Sequence, residues 1–112
     1  WLERYNYASL INTSIHEGLA VSFLEALKCE TPLLSCIDTE GVVSRFGCHV
    51  GWEGGHGLGM IPAFSKGLRA LLDDQPRREA LGRAGREWVS RVHTRDGFLR
   101  AFHALCMKAG VL

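Results

Sequence analysis

The sequence has almost no net charge: 13 Lys and Arg stand against 12 Asp and Glu, leaving a formal +1 and a pI near 7.9. That excludes a whole-chain electrostatic pull toward nucleic acid or anionic lipid, so any partner must be recognised locally. No apolar run approaches the ~20 residues of a membrane span, and the first residues lack the charged-then-apolar pattern of a signal peptide. The four cysteines, Cys29, Cys36, Cys48 and Cys106, show no CxxC or metal-type spacing, which points to reduced thiols in a cytoplasmic protein. Internal repeats and low-complexity tracts are also missing. Asn12-Thr13-Ser14 fits a glycosylation sequon, but it closes an apolar run expected to be buried, which argues against its use.

What is present suits a packed domain: 46% of the residues are hydrophobic and 22% charged, a balance that sustains one modest core. The chain reads as a single domain over residues 1–112, and its start at Trp1, within an apparent helix end, gives the expectation of a piece of something longer.

Apolar periodicity predicts the organisation. Residues 1–7 read as a helix end and 8–14 (ASLINTS) as a buried strand. Leu19 to Cys29 carries Val21, Leu24 and Leu27 flanked by Ala20, Phe23 and Ala26, a helix with a wide buried face. The run from Pro32 (PLLSCI) reads as a second strand, so strand, helix and strand follow one another, the order of a parallel crossover unit. Residues 40–46 predict a short helix ending at Gly47, and 48–52 a short strand. Five glycines, at 51, 54, 55, 57 and 59, deny regular structure to the stretch before Leu58, where a mobile surface hairpin is expected. From Ala63 onward three helical stripes follow: Leu68, Leu71 and Leu72; then, after Pro76, Leu81, Ala84, Trp88 and Val92; then, from Thr94, Phe98, Phe102 and Leu105. The class is α/β, helix-rich toward the C-terminus.

Chemistry concentrates in the first crossover. Glu17 and Glu25 stand eight residues apart around a helix start. One reading is structural: Ser22 and Glu25 match a capping box, and Glu17 complements the helix dipole. Gly18 needs another reason. A glycine at a strand-to-helix turn lets backbone amides approach a ligand, and a helix start offers free N–H groups to a phosphate. In an open parallel sheet, ligands bind outside the carboxyl ends of the strands, where Ser14 to Gly18 fall. Two carboxylates beside such a cradle suit vicinal hydroxyls, because an ionised carboxylate accepts from both. The pattern is that of a nucleotide-sugar site.

The segment SIHEGLAVSFLEALKCETPLLSC resembles the E-x7-E region of the group-one retaining glycosyltransferases of GT-B fold, with Ser14, Glu17, Gly18, Glu25, Ala26, Pro32 and Leu33-Leu34 in register. The stretch GLRALLDDQPRREALGRAGREWV is similar to the helices that follow it in that family. The resemblance implies a Rossmann-like, three-layer parallel sheet, most of the C-terminal domain of a GT-B fold, with extra C-terminal helices. It implies that Glu17 lies against the donor sugar as the catalytic-site carboxylate and that Glu25 bonds the ribose hydroxyls. Gly18, Leu19 and Ala20 would border sugar and diphosphate, with Ser14 and, by position, His16 alongside. Departures from the family pattern are Leu19-Ala20, Glu30 in place of the glycine before Thr31-Pro32, and IDTEGVVSRFG in place of a glycine-rich loop.

The implied reaction is retaining transfer of a sugar from a nucleotide diphosphate donor to a carbohydrate or lipid-linked acceptor. The acceptor would be held by an N-terminal half, so the chain by itself is expected to be inactive. No cofactor or metal is expected, no nucleic acid, and at most weak contact with the inner face of a membrane. Two alternatives remain from the same fold: a non-catalytic binding or assembly module, and a sugar-nucleotide epimerase.

Other patterns carry less. Gly51–Gly59 matches neither a P-loop nor a dinucleotide fingerprint. His16-Glu17 lacks the second histidine of HExxH, since Ala20 stands there, and Cys48-His49 is a lone pair. Arg77, Arg78, Arg83, Arg86, Arg91, Arg95 and Arg100 alternate with Glu79, Glu87 and Asp96, while Trp88, Phe98 and Phe102 fall on apolar stripes. That combination predicts a solvated amphipathic surface in place of a base-stacking one.

Overall fold

The computed structural model describes residues 7–14, 16, 18–51 and 57–111. Three short strands, β1 (Leu10–Asn12), β2 (Leu33–Ser35) and β3 (Gly47–His49), form one parallel sheet in the order β1-β2-β3. Helix α1 (Val21–Lys28) joins the first two, and a 3-10 turn (Thr39–Gly41) leading into α2 (Val42–Phe46) joins the second and third. A second 3-10 turn (Gly57–Met60) opens α3 (Ile61–Asp73), followed by α4 (Gln75–Val92) and α5 (Arg95–Ala109). The chain is thus a mixed α/β structure with a three-stranded parallel sheet and five α-helices among the described residues.

The hydrophobic pattern explains the layering. In β2, successive side chains alternate between faces, and both Leu33 and Leu34 are buried. Leu33 joins Phe23, Ala26 and Leu27 of α1, Val42, Val43 and Phe46 of α2, and Trp88 and Val89 of α4 in one cluster. Leu34 turns the other way, where its Cδ1 lies beside Gly67 of α3. A strand buried on both sides draws apolar side chains to both faces, which Leu33 and Leu34 supply, while its one polar residue, Ser35, is buried with its hydroxyl hydrogen-bonded.

Close approach of backbones sets the glycines that matter. A Cβ on Gly47 would stand 1.9 Å from the Leu33 carbonyl oxygen. The chain leaves α2 directly into β3 with no linker, and only glycine admits β2 at that spacing. Helix α4 packs onto α1 through Gly82 and Gly85, whose added Cβ atoms would meet the Glu30 backbone and the Leu27 side chain.

Several expectations shift. The first strand is limited to Leu10–Asn12, and helix α1 begins at Val21 and ends at Lys28. The third strand starts at Gly47, ahead of the expected residue 48, because α2 stops at Phe46. Helix α3 opens at Ile61, two residues early, since Pro62 fits the first turn of a helix. The expected helix end at 1–7 lies outside the described residues save Tyr7, as does most of the glycine-rich stretch, residues 52–56. Its last part, Gly57–Met60, is a 3-10 turn, not a hairpin arm.

The largest correction concerns α5. Its stripe has helical spacing, yet Phe98 is 65%, Phe102 54% and Leu105 62% exposed. The two phenylalanine rings stack on each other at 5.9 Å, and α5 touches the other elements only sparsely. By contrast Trp88 on α4 is buried, with Phe46 at 5.3 Å and His93 edge-on at 4.7 Å. Among the described residues no helix is long and apolar enough to cross a membrane.

Candidate functional site at the carboxyl edge of the sheet

The three parallel strands end together. Asn12, the last residue of β1, pairs in register with Ser35 of β2, and Ser35 pairs with His49 of β3. A row of polar side chains thus closes the carboxyl edge where three apolar runs stop. The Ser35 hydroxyl donates to Asn12 Oδ1 at 3.3 Å, and Asn12 Oδ1 also accepts the Ser14 amide at 3.0 Å. Ser35 is fully buried, and its Oγ in turn accepts the Ile37 amide at 3.2 Å, so it turns the chain out of β2.

Beyond the row stand Asp38 and His49. His49 Nε2 lies 3.1 Å from the Cys36 carbonyl oxygen and its Nδ1 3.9 Å from Asp38 Oδ2. Asp38 accepts the Ser44 amide at 3.0 Å and, on its other oxygen, the Ser44 hydroxyl. Burial pushes the Asp38 carboxyl up, but the Ser44 hydroxyl and amide, the neighbouring His49 and the Val43 amide outweigh it and hold it below its ordinary 3.8. Burial pushes the Cys36 thiol up, which makes it a poor nucleophile. Between Asp38 and α2 the backbone passes through the left-handed region at Glu40 (φ 58°) and Gly41 (φ 69°).

The residues singled out in the sequence lie along the β1–α1 connection. Ser14 follows β1 directly and is half-buried, and His16 and Gly18 are exposed. A Cβ on Gly18 would meet nothing within 4 Å, so packing does not demand glycine there. Leu19 and Ala20 pack against the core, which fixes the loop where it enters α1. Ala20 is the N-cap in extended conformation with no side-chain cap, and the first turn holds no acidic residue.

That overturns the capping-box reading. The helix begins ahead of Ser22, which sits inside the first turn with its side chain exposed, and Glu25 lies more than a turn in. Among the described residues the exposed Glu25 carboxylate is in no ion pair and no hydrogen bond. Glu17 lies outside the described residues, so the Glu17–Glu25 pairing has no measured geometry. The sequon at Asn12 is not buried as expected, since Thr13 is exposed, but the Asn12 amide group is engaged by Ser14 and Ser35.

Sequence reasoning missed Asn12, Ser35, Asp38 and His49 as a group. The available signal was that each of the runs SLIN, PLLS and GCH ends on a polar residue, but only the strand register aligns those ends. A separate hollow of about 100 Å³, lined by Tyr7, Ala8, Glu30, Pro32, Gln75, Arg78 and Glu79, opens beside residues that precede β1 and β2. It is at the opposite edge of the sheet from this row.

Compared with known proteins, the chain matches no protein-family model, no curated protein sequence and no solved structure.

Proposed function

We propose that the chain is the donor-binding half of a retaining glycosyltransferase, taking a nucleotide diphosphate sugar at the carboxyl edge of its sheet. The observation that carries this reading is the parallel β1–α1–β2 unit, which brings Ser14, His16 and Gly18 between a strand end and an uncapped helix start. Backbone amides at such a helix start suit a diphosphate, and their dipole favours the negative charge that grows on a nucleotide leaving group. Glu25, exposed and free of any capping duty, is available to ribose hydroxyls. Glu17 is the carboxylate assigned to the sugar. The acceptor, a carbohydrate or lipid-linked hydroxyl, would be presented by a further domain, and this reading invokes no metal.

The test is calorimetric titration of the chain with UDP, GDP and ADP, repeated with Glu25→Ala. One nucleotide should bind, and the variant should weaken it at least about tenfold, on the order of the 1.4 kcal/mol that one charge-assisted hydrogen bond supplies. Binding of none of the three, or equal binding by the variant, would overturn the reading.

A further inference from the structure

The Asp38–His49 pair spans the gap between the turn after β2 and the end of β3, beside the bond of the Val50 amide to the Ser35 carbonyl at 2.8 Å. His49 closes β3, while Asp38 sits in the turn after β2, and the imidazole reaches both the Cys36 carbonyl oxygen and Asp38 Oδ2 across that gap. The carboxylate is anchored from behind by Ser44, through its amide and hydroxyl, so the pair also fixes the start of α2. Between these anchors the chain makes its two consecutive left-handed residues, Glu40 and Gly41, a conformation that costs Glu40 about 1 kcal/mol and persists only while the surroundings hold it.

A neutral imidazole has one N–H. It satisfies the Cys36 carbonyl with Nε2–H and then presents a bare Nδ1 lone pair to the Asp38 carboxylate, or the reverse. A charged imidazolium donates from both nitrogens and adds an ion pair. We propose that Asp38 and His49 form a proton-operated clamp on the turn after β2, drawn tight when the imidazole is charged and slackened when it is neutral. The clamp regulates the candidate donor site of the preceding section, on whose reading that functional consequence rests.

The charges around the ring leave Asp38 as its partner. The one charged residue of α2, Arg45, is engaged over the Phe46 ring at 4.8 Å and the Trp88 ring at 5.5 Å. Glu40 in the turn itself and the charged residues of α3, Lys66, Arg69 and Asp73, form no ion pair with His49 among the described residues, and β2 carries none. The His49 side chain is more open than that of Asp38, so protons reach the ring from solvent, while the Ser44 hydroxyl and amide favour the charged form of the carboxylate. Tightening also places positive charge at the carboxyl edge, in the sense that favours a bound diphosphate.

NMR titration of the chain tests the clamp directly. The backbone amides of residues 38–44 should shift with the same midpoint as the His49 ring, and in Asp38→Asn, which removes the carboxylate the ring faces, they should cease to follow it. In His49→Gln, whose amide can still donate to the Cys36 carbonyl, the loop amides should stay flat across the histidine range. Loop amides that ignore the ring titration in the wild type, or that still follow it in Asp38→Asn, would overturn the clamp. If UDP, GDP or ADP binds, its affinity should be several-fold tighter at pH 6 than at pH 8, and His49→Gln should remove the part of that ratio not due to the nucleotide's own phosphate titration. Failure of all three nucleotides to bind removes the donor reading, and the amide titration still decides the clamp.

Discussion

Gly82 of α4 presses so closely on Glu30 that a Cβ there would lie 2.1 Å from the Glu30 carbonyl oxygen. The contact is backbone against backbone, so no rotamer change relieves it. Gly82→Ala must push α4 away from α1 and disturb the cluster that Leu27, Trp88 and Val89 share. A loss of about 2 kcal/mol or more is expected in urea denaturation, the scale of overpacking a tight core.

The same Glu30 is the left-handed residue that ends α1. Its φ is 60°, its amide bonds the Leu27 carbonyl at 3.0 Å and the Thr31 amide bonds the Ala26 carbonyl at 2.9 Å, a Schellman ending in which glycine is the usual choice. Glu30→Gly removes the penalty of the Cβ, and the ion pair it gives up, to Arg86 at 3.8 Å, is exposed on both sides and contributes little. The variant should gain up to about 1 kcal/mol, read as a higher melting temperature.

Acid should expose Asp38. Its carboxyl is held below its ordinary 3.8 in the folded chain, so it binds protons more weakly there than when unfolded. The stability it contributes is complete above that ordinary value and drains away as the pH falls through the lower folded value. Denaturation midpoints across the acid range should therefore fall more steeply for the wild type than for Asp38→Asn, which lacks this component at neutral pH as well.

Exposure separates the phenylalanines. Phe23 is fully buried in the main cluster, and Phe23→Ala should cost about 3 to 5 kcal/mol. Phe102→Ser on α5 should cost less than about 1 kcal/mol, because more than half of that ring already meets solvent. Equal losses in urea denaturation would mean that α5 is covered in solution.

How far the sequence foretold this structure differs by element. Strand, helix and strand in the first crossover were readable because PLL has no polar interruption and the spacing of Phe23, Ala26 and Leu27 fits one helix face. Glu30 was visible as a departure from the glycine of the resembled pattern, but nothing local says that a glutamate keeps the left-handed turn. Periodicity on α5 located an apolar side without saying whether anything lies over it, since a moment records direction and not a neighbour. The row Asn12, Ser35 and His49 was illegible for a different reason: the three residues are far apart in sequence and meet only through strand register. Ser22 and Glu25 had the spacing of a capping box, and the helix simply began earlier, where Leu19 and Ala20 reach the core.

One side chain fixes how the C-terminal half comes apart. Arg78, in the first turns of α4, donates its Nη1 to the Leu71 carbonyl at 2.8 Å and to that of Leu72, closing the end of α3, while Asp74 between the two helices accepts the Arg77 amide at 3.1 Å. Neither helix can fray at this corner without stripping the other of its terminus. Amide protons of α3 and α4 near the corner should therefore exchange with deuterium as one cooperative unit, and those of the sparsely held α5 sooner and on their own.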